Sequence, residues 1–330
     1  MSVDFTVAIP TYNGESRLPE ILERLRSQIG VEHLNWEIIV VDNNSQDGTA
    51  RVVCDYQATW SCPYPLRYCL EPRQGTAFAR MRAVTESRSE WVGLLDDDNW
   101  PAPNWVAAAY AFGQTHPQAG AYASQIHGAF EVEPPLNFER IAPFLGITEQ
   151  GQHPHLYEPH KLKLPPGAGL VVRKSAWCEA VPKEPMLQGR LGKSLVGGED
   201  LEPLLYLHKA GWEIWYNPAM ETYHQIPHWR LEKHYLIDLS LGVGLNSCCL
   251  RMIDSSFWQR PNVLIRTFLG SLRRIVLHLM RYGVVLVGGQ NNPLSCSNLV
   301  AVCELAFYWG YLLSPFYFLR VCLIRQSPTR

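Results

Sequence analysis

The chain has no CxxC pair, no Cys/His spacing suited to zinc, no low-complexity tract and no internal repeat. Nine cysteines are present, and only Cys248 and Cys249 are adjacent. An odd, irregular set argues against a disulfide framework and reads as reduced thiols in a cytosolic compartment. Met1 to Phe5 passes straight into a strand-like run, without a basic stretch followed by an apolar core, so no secretory signal is expected. Charge is sparse at 18%, with a formal net charge of −2. Without a basic excess, nucleic acid is a poor candidate partner. Hydrophobic residues make up 47% and there are 11 Trp, which with the low charge implies a surface partly out of water. At 330 residues there is room for one large α/β domain with a helical appendage.

What is present in the first half is alternation. Short apolar runs at Phe5–Ile9, Glu37–Val41, Leu66–Leu70, Trp91–Leu95 and Gly120–Ile126 read as strands. Between them, helical periodicity begins at Leu18 and continues through Ile29, and further helices are expected at 49–56, 76–85 and 105–112. This order predicts βαβ units and a largely parallel, buried sheet. Ligands of such sheets bind beyond the carboxyl ends of the strands. Three polar clusters sit at those ends: Pro10-Thr11-Tyr12-Asn13, Asp42-Asn43-Asn44-Ser45 and Asp96-Asp97-Asp98. Residues 131–164 are irregular and rich in Pro and His, and a strand is expected at 166–172.

Three adjacent carboxylates repel one another and call for a cation. All-oxygen ligands favour Mg²⁺ or Mn²⁺ over zinc. A metal there would let an acidic pocket hold a diphosphate and stabilise its departure; the bland alternative is a solvated acidic turn. Asp42 suits either a ligand for base or ribose or a turn, since Asn43, Asn44 and Ser45 are turn formers. Glu199 and Asp200, after Gly197 and Gly198, open an apolar helix. They either complement the helix dipole or supply a general base for an acceptor hydroxyl. His224 reads as a structural histidine or a ligand.

Taken together, the clusters resemble family 2 of the inverting glycosyltransferases with the GT-A fold, a Rossmann-like sheet flanked by helices. The matching stretches are AIPTYNGESRL from Ala8, VVDNNSQDGT from Val40, EPRQGTAFARMRAV from Glu71, LLDDDNWPAPNWV from Leu94, GAGLVVRKSAW from Gly167 and GGEDLEPLLYLHKAGWEIWYNP from Gly197. More narrowly, the chain resembles the branch associated with hormogonium polysaccharide synthesis in cyanobacteria. The resemblance implies a nucleoside-diphosphate sugar donor, UDP-linked by default, and a saccharide or lipid-linked saccharide acceptor. It implies a nucleotide pocket of Pro10, Thr11, Tyr12, Asn13, Glu15, Asp42 and Asn44, a donor site lined by Gly75, Arg80, Asp96 and Asp97, and an acceptor side shaped by Gly167 and Gly169. Asp96 and Asp98 match the DxD motif that holds Mn²⁺ or Mg²⁺, with His224 a further ligand, and Asp200 would be the base supported by Glu199. Two departures stand out. Met81 replaces the polar residue of an ARN motif, and only His228-Trp229-Arg230 stands where processive polymerases carry QxxRW. The second favours transfer of single sugars.

The resemblance fades near residue 240, which sets expected domains of 1–240 and 241–330. Val263–Val287 carries Arg266, Arg273, Arg274, His278 and Arg281 on one helical arc and reads as an in-plane membrane anchor. Leu299–Ile324 is long enough to span a bilayer, although Glu304, Pro315 and Arg320 weaken that reading. A polar turn is expected at Gly288–Asn298, and the enzyme is expected at the inner face of the plasma membrane. The alternatives are a soluble hairpin packed on the catalytic domain, a sugar nucleotidyltransferase, or a non-catalytic carbohydrate-binding or scaffold subunit. The nucleotidyltransferase would carry a Gly-rich basic loop, where Thr11–Leu18 has only Gly14 and Arg17; the scaffold would have lost its acids.

Overall fold

Successive residues of a strand point to opposite faces, so an uninterrupted apolar strand must be covered on both. The computed structural model describes residues 3–190, 192, 195–287 and 296–326, and it shows that arrangement. Strands β1 (Phe5–Thr11), β2 (Trp36–Asp42), β3 (Leu66–Leu70) and β4 (Trp91–Leu94) pair in parallel in the order β3-β2-β1-β4. Phe5, Val7, Ile9, Ile38 and Val40 face a core closed by α1 (Leu18–Arg26), α2 (Thr49–Thr59) and α4 (Trp105–Thr115). Ala8, Ile39, Val41, Val92 and Leu94 face the opposite core, closed by α3 (Thr76–Glu86), α5 (Lys174–Ala180) and α6 (Leu201–Lys209).

Beyond β4 the sheet is mixed rather than parallel. Strand β8 (Leu170–Arg173) runs antiparallel to β4 and to β6 (Ala119–Phe130). The sheet then continues through β9 (Glu213–Ile226), which pairs antiparallel with the short edge strands β5 (Asn99–Pro101) and β7 (His155–Leu156). The parallel rule therefore holds for the half built by helical crossovers. Helix α1 stops at Arg26, short of the Ile29 expected in it; Ile29 is exposed, and its N–H donates to Pro103 O.

The chain forms two compact units. The first comprises Met1–Ala129, Gly146–Gln188 and Glu199–Gln225; the second comprises Phe130–Leu145, Gly189–Gly198 and Ile226–Arg330. In the second, α7 (Lys233–Leu245) and α8 (Ser247–Asp254) lead to α9 (Arg260–Val287) and α10 (Cys296–Gln326). Helix α7, which begins before the boundary expected at 240, packs along α10 so closely that a Cβ on Gly244 would lie 2.3 Å from Phe307 O. Two apolar helical segments, Lys233–Asp254 and Leu299–Leu323, are long enough to cross a membrane by length and composition. Most of the polar turn expected at Gly288–Asn298 lies outside the described residues. His278 departs from its expected place beside the arginines: it is buried, with Nε2 2.9 Å from Ala301 O.

Candidate active site

The ends of β1, β2 and β4 bring the three polar clusters to one edge of the sheet. Thr11 is the register partner of Asp42, and Leu95 N–H donates to Ala8 O, so the acids after β4 emerge beside the end of β1.

Each acid of the triplet has a different environment. Asp96 accepts two hydrogen bonds from Arg80 Nη2, at 3.0 and 3.3 Å. Asp97 is buried and committed internally: Arg17 donates to both carboxylate oxygens, at 2.8 and 2.9 Å, and Thr11 Oγ1 donates to Oδ2 at 2.5 Å. That fork-to-fork pairing raises the pKa of Arg17. Asp98 accepts Asn99 Nδ2–H at 2.8 Å through Oδ1, while its Oδ2 lies 3.5 Å from His224 Nε2. His224 reaches this position because β9 pairs with β5, which sets Asn99 opposite His224. Among the described residues, no three His, Cys, Asp or Glu side chains form a preassembled metal cluster.

Arg80 is the centre of the charged network. It is buried, pairs with Asp96 and lies 4.0 Å from Glu199 Oε1. Burial opposes its charge, but Asp96, Asp200 and Glu199 outweigh burial and its pKa is raised. Its Nε and Nη1 have no hydrogen-bond partner. Buried donors in that state are rare in folded proteins.

Asp200 stands at the N-cap of α6, yet its side chain makes no capping bond. Its Oδ2 instead accepts Gly167 N–H at 2.9 Å. Gly167 is thus tied to the proposed base, and Gly169, with φ +65°, lies where a Cβ would press on Ser124 Oγ.

Around the expected nucleotide pocket, several side chains serve the pocket's own walls. Asp42 is buried; Oδ1 accepts Ser45 N–H and Oδ2 accepts the Tyr68 hydroxyl, both at 2.8 Å. Glu15 accepts Gly48 N–H and pairs with Arg51. Asn13 and Asn44 both adopt left-handed backbone, and Asn13 Oδ1 accepts Gln46 N–H. Tyr12 is exposed, and Pro10 lies opposite Val41.

Two residues were not singled out from sequence. Asn43 ties its loop to the next: Nδ2 donates to Glu71 O and Arg73 O, and Oδ1 accepts Gly75 N–H. Glu202, buried on α6, accepts Met186 N–H at 2.8 Å and Leu187 N–H at 2.7 Å. An acid inside the first turn of an apolar helix was the available signal. Met81 lines a cleft with Trp177, Pro185, Glu199 and Glu202, an apolar setting for the residue that departs from the ARN pattern.

Residues 6–156 match the family model of glycosyl transferase family 2. The TuaG glycosyltransferase of Bacillus subtilis, named for teichuronic acid biosynthesis, is 30% identical over 96 residues, which is 29% of this chain and 36% of that protein. Dolichyl-phosphate beta-glucosyltransferase ALG5D of Trichomonas vaginalis is 30% identical over 95 residues, 27% of this chain and 28% of its own length. The matches therefore span about a third of these curated relatives. Among solved structures, mannosyltransferase PcManGT from Pyrobaculum calidifontis, in complex with GDP-Man and Mn²⁺, aligns over 100% of this chain and 89% of its own, with TM-score 0.59 and 18% identity. GalNAc-T7 with UDP, GalNAc and Mn²⁺ aligns over 94% of this chain and 56% of its own, with TM-score 0.55 and 15% identity. At those identities the shared property is the GT-A fold. The strand ends that gather Asp42, Asp96 and Asp98 lie within the stretch that is similar to glycosyl transferase family 2.

Proposed function

We propose that the chain transfers a single sugar from a nucleoside-diphosphate donor, UDP-linked, to an acceptor hydroxyl with inversion. The observation that carries this reading is Arg80, whose buried guanidinium joins Asp96 after β4 to the Glu199–Asp200 pair at the head of α6. One cation thereby holds the donor-side and base-side carboxylates in a single pocket. Its Nε and Nη1, which make no hydrogen bond, fit an anionic ligand.

The nucleotide is assigned to the ends of β1 and β2, against Tyr12, Asn13 and Asn44. Asp42, Glu15 and Asp97 belong to that pocket and are held in place by internal bonds. The donor's sugar and phosphates are assigned to the space between Gly75, Arg80 and Asp96, and the acceptor to the side of Gly167 and Gly169. Asp98 and His224 fit a divalent cation, since two ligand atoms 3.5 Å apart can share one ion. When bound, Mn²⁺ or Mg²⁺ would neutralise the diphosphate and its developing charge. Asp200 takes the proton from the acceptor hydroxyl, with the Gly167 N–H holding its carboxylate in place. The acceptor oxygen then attacks the anomeric carbon from the face opposite the diphosphate, which inverts its configuration. The names of TuaG and ALG5D, one a polysaccharide and one a lipid carrier, support a saccharide or lipid-linked saccharide acceptor and a role in polysaccharide or glycolipid assembly. The two long apolar segments support work at a membrane, which the proposal takes to be the cytoplasmic face of the plasma membrane.

The test is a panel of nucleotide sugars, with Mn²⁺, Mg²⁺ or chelator, read by thermal stabilisation and donor turnover. A UDP-sugar should stabilise the protein only with metal, and Asp98→Ala should remove that dependence and nearly all turnover. Full turnover in excess chelator would defeat the metal assignment, and stabilisation by no nucleotide sugar would defeat the transferase.

A further inference from the structure

Helix α9 is built inside out. The residues it turns inward, Thr267, Ser271, Ile275 and His278, recur at helical spacing along one stripe, and three of the four are polar. The residues it turns outward are large and apolar: Ile265, Phe268, Leu269, Leu272, Val276 and Met280, the last 75% exposed. In water this ordering is inverted, because burial of such side chains is what normally positions a helix. Two of the inward polar side chains are satisfied within the helix pair: Ser271 Oγ donates to Thr267 O, and His278 meets Ala301 O.

Helix α10 continues the surface. Trp309, Leu313, Phe316 and Leu323 form an exposed stripe, while Val300, Cys303, Tyr311 and Phe318 are buried. The two apolar faces meet at Phe268 and Phe316, whose rings lie edge to face at 6.4 Å. The patch is therefore continuous across both helices.

Charge identifies what covers it. From Ser255 to Cys303 there are five arginines and no Asp or Glu. Arg266, Arg273, Arg274 and Arg281 are exposed and lie along one side of α9, beside the apolar stripe and parallel to the helix axis. A helix crossing a bilayer with such a strip would carry an arginine at every depth, which is costly. A helix lying in the plane keeps every arginine at headgroup level and every apolar residue below it. Helix α10 is likewise held on one side: it packs on α7, and its Glu304 pairs with Arg140.

We propose that α9 and α10 dock as one in-plane surface on a single leaflet rich in anionic lipid, with Ile265, Phe268, Leu272, Val276, Met280 and Phe316 entering the acyl boundary. The proposal deepens, and rests on, the membrane-surface reading above; it specifies the mode and the lipid chemistry.

Full-length protein is mixed with phosphatidylcholine vesicles, with and without phosphatidylglycerol, and floated. Binding should require the anionic lipid and be partly released by high salt. It should weaken about fivefold for each arginine removed in Arg266→Gln and Arg273→Gln. Leu272→Glu with Val276→Glu should abolish binding while leaving circular dichroism and donor-induced thermal stabilisation unchanged, since both positions are exposed. Equal binding to neutral vesicles that only detergent reverses would overturn the in-plane mode and leave membrane association standing. No flotation with either vesicle, with a stable dimer that the double Glu variant splits, would overturn both and assign the patch to a second copy of the chain.

Discussion

The guanidinium of Arg80 occupies the space that a side chain on Gly167 would need: a Cβ there would lie 2.5 Å from both Arg80 Cζ and Nη1. Gly167 also donates its N–H to Asp200. The glycine thus does two things at once, admitting the cation between Asp96 and Glu199 and fixing the carboxylate of Asp200.

From that relationship, Gly167→Ala should push the guanidinium off Asp96. Overpacking of this kind destabilises by about 1–3 kcal/mol. Turnover should fall further than the loss of folded protein accounts for, because Arg80 and Asp200 are both disturbed. Kinetics measured well below the melting temperature check this. Normal turnover in a destabilised variant would show that the position of Arg80 is immaterial to the chemistry.

Asp200→Asn keeps an oxygen for Gly167 N–H but cannot take a proton. Loss of a general base lowers rate by about 10²–10⁴-fold. Donor-induced stabilisation should persist, since the acceptor side carries the change. The absence of a capping bond from Asp200 makes the outcome decisive. A near-normal rate would return this acid to a dipole-complementing role.

The strand-end acids were legible from sequence because parallel strands deliver whatever follows them to one edge. Their individual partners were not. Asp97 pairs with Arg17, 80 positions earlier, and no local pattern encodes that. The sequence suggests a strand only over Glu213–Tyr216, whereas β9 runs through Pro218 to Ile226. On the edge side of β9, Pro218 falls between the pairings of Trp215–Tyr216 with β7 and of Thr222–His224 with β5. The arginine arc of α9 was visible as periodicity. That His278 leaves it for Ala301 O depended on α10, which the arc itself does not describe.

Burial pushes the thiol of Cys248 up to about 12 and that of Cys303 up to about 11. Both should resist iodoacetamide in the native protein at neutral pH, whereas the exposed Cys54 and Cys178 should react. The sign for stability follows. These buried thiols favour the folded state fully below the ordinary value of 9.0, and that contribution is lost as pH rises toward 11 and 12. Mass spectrometry after timed labelling reads the first effect, and rapid labelling of Cys248 at neutral pH would contradict it.

Glu202 should behave as a clamp rather than as a reactant. Its carboxylate is buried and accepts the N–H groups of Met186 and Leu187, one on each oxygen. The next residue, Gln188, accepts Ala77 N–H, and its carbonyl lies where a Cβ on Gly75 would meet it at 2.6 Å. The segment therefore runs from α6 to the donor-side loop, and Glu202 fixes its middle. Glu202→Ala leaves the buried Leu187 N–H without this acceptor, at about 1–3 kcal/mol, and the part-buried Met186 N–H at less. Glu202→Gln keeps the shape and one acceptor but turns an amide donor toward the other N–H, so it should fall between Ala and wild type. In hydrogen exchange, the amides of Met186 and Leu187 should lose protection in both variants while β1 and β2 keep theirs. Donor affinity should weaken in the same order, through the Gly75 loop, with the metal dependence retained. Unchanged exchange at Met186 and Leu187 in Glu202→Ala would show that the segment is held by other contacts.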